Sequence, residues 1–518
     1  LAVVSEPDAP TLGRRRIIIL LIGLVLGNIM AGVEGTIVAT ARPFITADLG
    51  RFDLSAWIFV AYQLTQAVST NLWGKFSDLL GRKWLYQLSI VVFMAGSIVC
   101  GVANSMQVLI AGRAIQGIGS GGLFTLGMVI MGDVLSPRER GRYVGYMAGT
   151  YGIATVLGPF VGGAVVDHAS WRWVFFMMLP FGVGSIALAH LNLNLPFHRR
   201  EHVIDYAGSG LMIVWVTALV LYGELGDRNG FTSPKMLALL VVGLASLVAF
   251  VRVEQRASEP VLPIRLFRDR TFTLTSISMF LNGIMTMVIS IMAPLFLQIV
   301  TGVNATRSGV LSMPMVLGML VASIYTGTMM SRTGRYRIYP ILGSGIMAAS
   351  AALLATMGTD TPKALPALYM FFAGAGANGA SQVLIVAVQN RVPHADLGIA
   401  TSATSFFRSL GNVAGSALYS ALLLSRLDHW LPRLVPDGSV TNAAQISQSP
   451  KQIQAMEPAV RDGIVESFAN SLHTVFLWLV PVTVVLFLIA LAVPEHPLRD
   501  KAAIGGEADT DSLTPAVH

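Results

Sequence analysis

Two charged side chains stand alone inside long apolar stretches, and they are the first candidates for chemistry. Glu34 lies 18 residues beyond the run Arg14-Arg15-Arg16. In a helix that separation is roughly 25 Å, in the outer half of a span that begins at the arginines. An ionised carboxylate facing hydrocarbon is costly, so Glu34 is expected to face a cavity or another polar group. Burial penalises its charged form, which suits a group that loads and releases a proton or cation. The alternative is a structural acid hydrogen-bonded near the outer end. Arg113 sits about five residues into another apolar run, without a charged neighbour in sequence. It requires a partner or wet surroundings, or it snorkels to the near interface. Hydrolase and metalloprotease signatures are missing, as is a phosphate-binding loop, so neither an intramembrane enzyme nor ATP-driven work is indicated. Cys100 is the single cysteine, which excludes a disulfide framework and a cysteine metal cluster, and no metal site is expected.

The elements that must position these residues follow from composition. Of 518 residues, 54% are hydrophobic and 12% charged. A soluble domain carries about 25% charged residues, and half that density cannot coat a water-soluble surface. Crossing the hydrocarbon core takes roughly 20 apolar residues, and fourteen stretches qualify. The first runs over 17–40, the second over 55–74, the thirteenth over 398–424 and the last over 471–493. The expected class is an all-α polytopic membrane protein with retained first span rather than a cleaved signal. Its net charge of +7 is read as basic loops facing an anionic leaflet, not as a nucleic-acid footprint. The N-terminal segment, alternate loops and the tail hold 22 of the 35 Lys and Arg, and the opposite set holds 11. Positive charge is retained in the cytoplasm, so both termini are expected there.

An internal repeat organises the spans. Gly74-Lys75-Phe76-Ser77-Asp78-Leu79-Leu80-Gly81-Arg82-Lys83 follows the second span, and Gly327-Thr328-Met329-Met330-Ser331-Arg332-Thr333-Gly334-Arg335-Tyr336 follows the tenth. The glycines are spaced alike and an arginine follows each second glycine, at an offset of 253 residues. A six-helix half repeated once would place the second copy after span eight, so two helices are inserted between the halves. The expected organisation is a cytoplasmic segment 1–16, a six-helix bundle 17–200, two inserted helices with linkers 201–270, a second bundle 271–493 and a cytoplasmic tail 494–518. A solvated outer loop is expected at 425–471. Repeated halves around a midplane cavity are a transporter plan.

The first loop resembles the signature of the major facilitator superfamily, and further matches point to its fourteen-helix drug–proton antiporter branch. They are Val33-Glu34-Gly35-Thr36-Ile37-Val38, Arg113-Ala114-Ile115-Gln116-Gly117-Ile118-Gly119, Gly149-Thr150-Tyr151-Gly152, Gly158-Pro159-Phe160-Val161-Gly162-Gly163 and Ser170-Trp171-Arg172-Trp173. Two departures stand out: Glu34 where that branch usually has Asp, and Ser331 where the first repeat has Asp78. The resemblance implies that Arg113 acts in proton coupling by biasing Glu34, and that Asp78, Arg82 and Asp133 form a cytoplasmic gate clasping the opposite half. Arg408, in span thirteen, is a candidate clasp partner, unless it packs only within its own half. Gly152, Gly158, Pro159, Gly162 and Gly163 would form the antiporter-motif helix. Small residues at such spacing let helices approach closely, and that the seam limits leak is implied by the resemblance alone.

The substrate path is read from polar groups within spans: Gln63, Gln66, Asn71, Asn282, Asn378, Gln382 and Gln389. The expected function is proton-coupled export of lipophilic or amphipathic compounds from a bacterial cytoplasm across the inner membrane, by a monomer without a cofactor. The rivals are a dedicated exporter of one lipid or metabolite with the same fold, and a facilitator or importer.

Overall fold

The computed structural model describes residues 14–498 apart from 52–53, 55–56, most of 136–160, 167, 194–204, 258–259, 304, 394–395 and most of 436–455. The described residues form thirteen long helices: α1 (Arg14–Leu49), α2 (Trp57–Leu80), α3 (Arg82–Gly101), α4 (Met106–Val134), α5 (Leu179–Asn192), α6 (Tyr206–Asn229), α7 (Pro234–Glu254), α8 (Arg270–Ile299), α9 (Ala305–Thr333), α10 (Ile338–Ala355), α11 (Ala364–Arg391), α12 (Leu397–Leu434) and α13 (Pro458–Ala492). They correspond to thirteen of the fourteen expected spans. The fifth expected span falls largely outside the described residues, although Gly158 and 161–166 are helical. Among the described residues, eleven helices are long and apolar enough to cross a bilayer, and α2 and α12 are not among them. Those two carry many hydroxyls and amides because they lie inside the molecule, against each other.

The repeat is visible in packing and in backbone. Helix α4 packs between α2 and α3, and α11 packs in the same way between α9 and α10. At the second glycine of each repeated loop φ is positive, 94° at Gly81 and 69° at Gly334. A side chain disfavours that backbone region, so glycine is what allows each pair of helices to turn there. The inserted pair α6 and α7 forms a hairpin. Its α6 turns Met212, Trp215 and Val216 inward, whereas Val241, Val242 and Val248 of α7 stay exposed, as a lipid-facing helix requires.

Three helices run past their expected ends. Helix α1 continues to Leu49 because Ala41 and Ile45 remain buried, and Asp48 accepts hydrogen bonds from Trp171 Nε1 and Arg172 Nη1, both 2.9 Å. Helices α12 and α13 take up both ends of the segment expected as a loop at 425–471. Leu427, Leu431, Ile464 and Phe468 are buried, and α13 approaches α12 so closely that a Cβ at Gly463 would collide with the Leu434 carbonyl. The alternation of polar with apolar residues there hides a packed helical hairpin.

Candidate functional site

Glu34 and Arg113 meet. The face of α4 that carries Arg113 repeats at helical spacing as Gln116, Gly117 and Ser120. Gly117 lets α4 lie directly on the backbone of α2 at Tyr62, and Thr65 Oγ1 donates to the Ala114 carbonyl at 2.8 Å. Arg113 is thereby held between α1 and α2, fully buried. Its Nη1 donates to Glu34 Oε1 and to Gln116 Oε1 at 2.7 Å. Its Nε donates to the Ile58 carbonyl at 2.8 Å, and the guanidinium carbon lies 4.3 Å from the Tyr62 ring centroid. Gln116 Nε2 donates in turn to Ser97 Oγ at 2.8 Å. The Tyr62 hydroxyl shares a 2.6 Å hydrogen bond with Ser120 Oγ, which also accepts from Gln66 Nε2 at 2.9 Å.

Glu34 is 1% exposed. One carboxylate oxygen is taken by Arg113, and the other, Oε2, is buried with no hydrogen-bond partner among the described residues. Such a group is expensive to keep as an ion, and one oxygen remains open to a proton. Snorkelling of Arg113 to the interface is ruled out by its complete burial. Sequence reasoning did not assign Gln116, Tyr62 and Ser97 to this cluster. Gln116 was findable, three residues after Arg113 on the same helical face.

The small-residue helix seats against the turn that carries Glu34. A Cβ at Gly158 would collide with Thr36, and one at Gly162 would press on Ile37, while Gly163 faces open space. Gly152 and Pro159 lie outside the described residues.

At the other end of the same half, Arg82 Nε donates to Asp133 Oδ2 at 2.9 Å, and Arg82 Nη1 donates to Ser77 Oγ at 2.9 Å. This pair joins α3 to α4 within the first half. Asp78 is on α2, and its side chain lies outside the described residues. Arg408 does reach the opposite half: its guanidinium carbon is 5.3 Å from the Phe124 ring centroid on α4. The halves also meet through polar contacts nearer the end that holds Gly81 and Gly334. Ser402 Oγ donates to Asn71 Oδ1 at 3.1 Å, and Gln389 Nε2 donates to the Met128 carbonyl at 3.4 Å. Asn71 and Gln389 therefore sit between halves.

The remaining path residues separate by role. Asn282 Nδ2 donates to the Ala377 carbonyl at 3.0 Å, tying α8 to α11. Gln63 and Asn378 are half-buried. Gln382 is buried and its Oε1 has no hydrogen-bond partner among the described residues, as is true of the Ser381 and Ser405 hydroxyls. Neither serine was singled out in the sequence, because buried hydroxyls in helices usually satisfy themselves on the preceding turn.

No group of three or more His, Cys, Asp or Glu suited to a metal ion occurs among the described residues. The sequence profile of the Major Facilitator Superfamily matches residues 24–416. The chain belongs to this family. It is a multi-pass membrane transporter, and the family's members are transporters rather than enzymes. The chain is 36% identical over 492 residues to an uncharacterized MFS-type transporter of Mycobacterium tuberculosis, covering 95% of this chain and 71% of that protein. It is 35% identical over 455 residues to the multidrug transporter protein MdtP of Bacillus subtilis, covering 87% and 83%. It is 30% identical over 466 residues to multidrug resistance protein 3 of the same organism, covering 88% and 91%. Among solved structures, the proton:xylose symporter XylE superposes with a TM-score of 0.63 at 14% identity, covering 93% of this chain and 96% of that one. That likeness concerns the fold.

Proposed function

We propose that the protein exports lipophilic or amphipathic compounds in exchange for protons, and that Glu34 carries the proton. The observation that supports this most directly is the buried carboxylate with one oxygen on Arg113 and the other without a hydrogen-bond partner among the described residues. Two of its relatives are named for multidrug transport or resistance, which favours a broad range of small substrates. The membrane is taken to be a bacterial inner membrane, with the end holding Gly81 and Gly334 in the cytoplasm, following the distribution of Lys and Arg.

The mechanism follows from the site. A proton on Glu34 removes one charge of the pair and frees Arg113 Nη1 from the carboxylate, while Nη1 keeps Gln116 and Nε keeps the Ile58 carbonyl as partners. The charge on the guanidinium is then uncompensated, and an electroneutral cluster becomes a cationic one. Because Gly158 and Gly162 press on the same turn of α1, a small shift of that turn is transmitted to the neighbouring helix. The Asn71–Ser402 and Gln389–Met128 contacts hold the cytoplasmic end closed, and they must part when the halves rock to open it. Gln63, Asn378 and Gln382 are polar groups that could meet a substrate, as could the Oε1 of Gln66, whose Nε2 is bonded to Ser120. The electrical part of the driving force is about 2.3 kcal/mol per charge per 100 mV, so one proton per cycle supports a sizeable gradient.

Reconstituted vesicles test the reading. Wild-type protein is expected to expel a lipophilic dye when a proton gradient is imposed. Glu34→Gln is expected to lose gradient-driven efflux while retaining dye binding. Full coupled efflux by this variant would remove Glu34 from the mechanism.

A further inference from the structure

The inserted hairpin ends in a buried carboxylate that serves neither the Glu34 site nor the arginine pairs. Glu254, the last residue of α7, is 3% exposed. Its Oε1 accepts from the Val261 amide at 3.2 Å and its Oε2 from the Leu262 amide at 3.0 Å. The linker leaving the hairpin is thus folded back onto the helix it came from. The Val261 carbonyl then accepts from Asn71 Nδ2 at 3.4 Å, and the Oδ1 of the same amide accepts from Ser402 Oγ of the second half. Asn71 Nδ2 also approaches Met212 Sδ of α6 at 3.6 Å. One chain of contacts therefore runs from the hairpin, through the linker, to the place where the halves touch.

Packing reinforces it. Trp215 of α6 meets Phe406 of α12 edge-on, with centroids 5.7 Å apart. Farther along, the linker is pinned by Arg265 Nη2 to Asp396 Oδ1 at 2.7 Å. The charged groups that act electrostatically on Glu254 include Asp205, at the start of α6, and Lys75, in the first repeated loop. Asp205 caps α6 by accepting from the Gly208 amide at 2.7 Å. Gly208 has no room for a Cβ between the Asp205 and Glu254 carboxylates.

We infer that the inserted hairpin is a strut that favours the state closed at the Gly81 and Gly334 end, with Glu254 as its positioning residue. Glu254 fixes the Val261 carbonyl, the carbonyl orients the Asn71 amide, and the amide presents Oδ1 to Ser402. Within that chain of contacts, opening the end breaks the link from Asn71 to Ser402, so the strut acts on the balance between states. This rests on the reading of the protein as an alternating-access transporter but not on Glu34 carrying the proton.

The test reads conformation directly. Spin labels on Leu80→Cys and Thr333→Cys, in a Cys100→Ser background, report the separation of the halves by pulsed electron resonance in lipid nanodiscs. Glu254→Ala and Asn71→Ala are each expected to raise the open fraction about threefold or more, the effect of losing a modest hydrogen bond. The double variant is expected to match the larger single effect, because both act on one chain of contacts. Glu254→Gln keeps one acceptor oxygen and is expected to fall between. An unchanged distance distribution in folded Glu254→Ala protein overturns the inference, as do additive effects of the two substitutions. If Glu254→Ala fails to fold, Asn71→Ala and Ser402→Ala decide, and unchanged distances in both overturn it. A shift in these distances with no proton dependence of efflux would leave the strut standing and sink the coupling role of Glu34.

Discussion

The Glu34–Arg113 pair combines two costs that cancel only together. Both groups are withdrawn from water: the desolvation of Glu34 is offset by Arg113, and that of Arg113 by Glu34, Gln116 and the Ile58 carbonyl. Removing one partner of a buried pair costs about 3–5 kcal/mol because the survivor is left uncompensated. Arg113→Met alone is therefore expected to lower thermal stability in detergent strongly, and Glu34→Gln added to it to recover a large part of the loss. A stability loss in the double variant equal to the sum of the singles would show that the two side chains do not act as a pair. Sequence made both residues conspicuous, since each is a lone charge in an apolar run. It could not show that they touch, because they are 79 residues apart. Asn71 and Ser402 were harder still: they are 331 residues apart, and each is one polar residue among several on its helix.

Helices differ in how much their sequence discloses. The lipid-facing spans announce themselves by length and hydropathy, since hydrocarbon tolerates little else. The repeat was legible from two glycines because a turn between adjacent helices needs positive φ, and Gly81 and Gly334 supply it. The extra turns of α12 and α13 were not legible, because burial there comes from a partner helix across the hairpin rather than from apolar runs. The small-residue helix sorts its own glycines. Gly158 abuts Thr36 of α1, so Gly158→Ala is expected to cost about 1–3 kcal/mol by overpacking. Gly163 faces open space, and Gly163→Ala is expected to change stability by about 0.5 kcal/mol or less, as surface substitutions do. Melting of the two purified variants side by side checks this, and equal effects would contradict the packing of that helix on α1.

The whole molecule is fastened differently at its two ends. Near the Gly81 and Gly334 end the halves share amide and hydroxyl contacts. At the opposite end, Asp48 gathers Trp171 and Arg172, and Arg172 Nη2 reaches the Ala103 carbonyl at 3.0 Å, so the end of α1 and two connections of one half are tied together. Asp48 lies beyond the apolar span of α1, and the hydrogen bonds from Trp171 and Arg172 hold its pKa below the ordinary carboxylate value. With the folded pKa lowered, the stabilising contribution is complete above the unfolded pKa of about 4 and is lost as pH falls through the folded value. Wild-type protein is expected to melt higher than Asp48→Asn at neutral pH, and the two curves to converge in acid below about pH 4. Parallel curves across that range would remove Asp48 as the source.

Helices α2 and α12, too polar to qualify as spans on their own, are mutual neighbours whose facing ends, Leu80 and Leu397, lie 317 residues apart along the chain. During synthesis α2 therefore emerges long before the surface it will lie against exists. Its hydrogen bonds to α4, from Thr65 to Ala114 and from Trp73 to Ile118, are available early and can shelter one side. The side bearing Gly74 and Asn71 waits for the second half, so a chain truncated before α12 would leave a polar helix face in contact with lipid, where membrane quality control can find it.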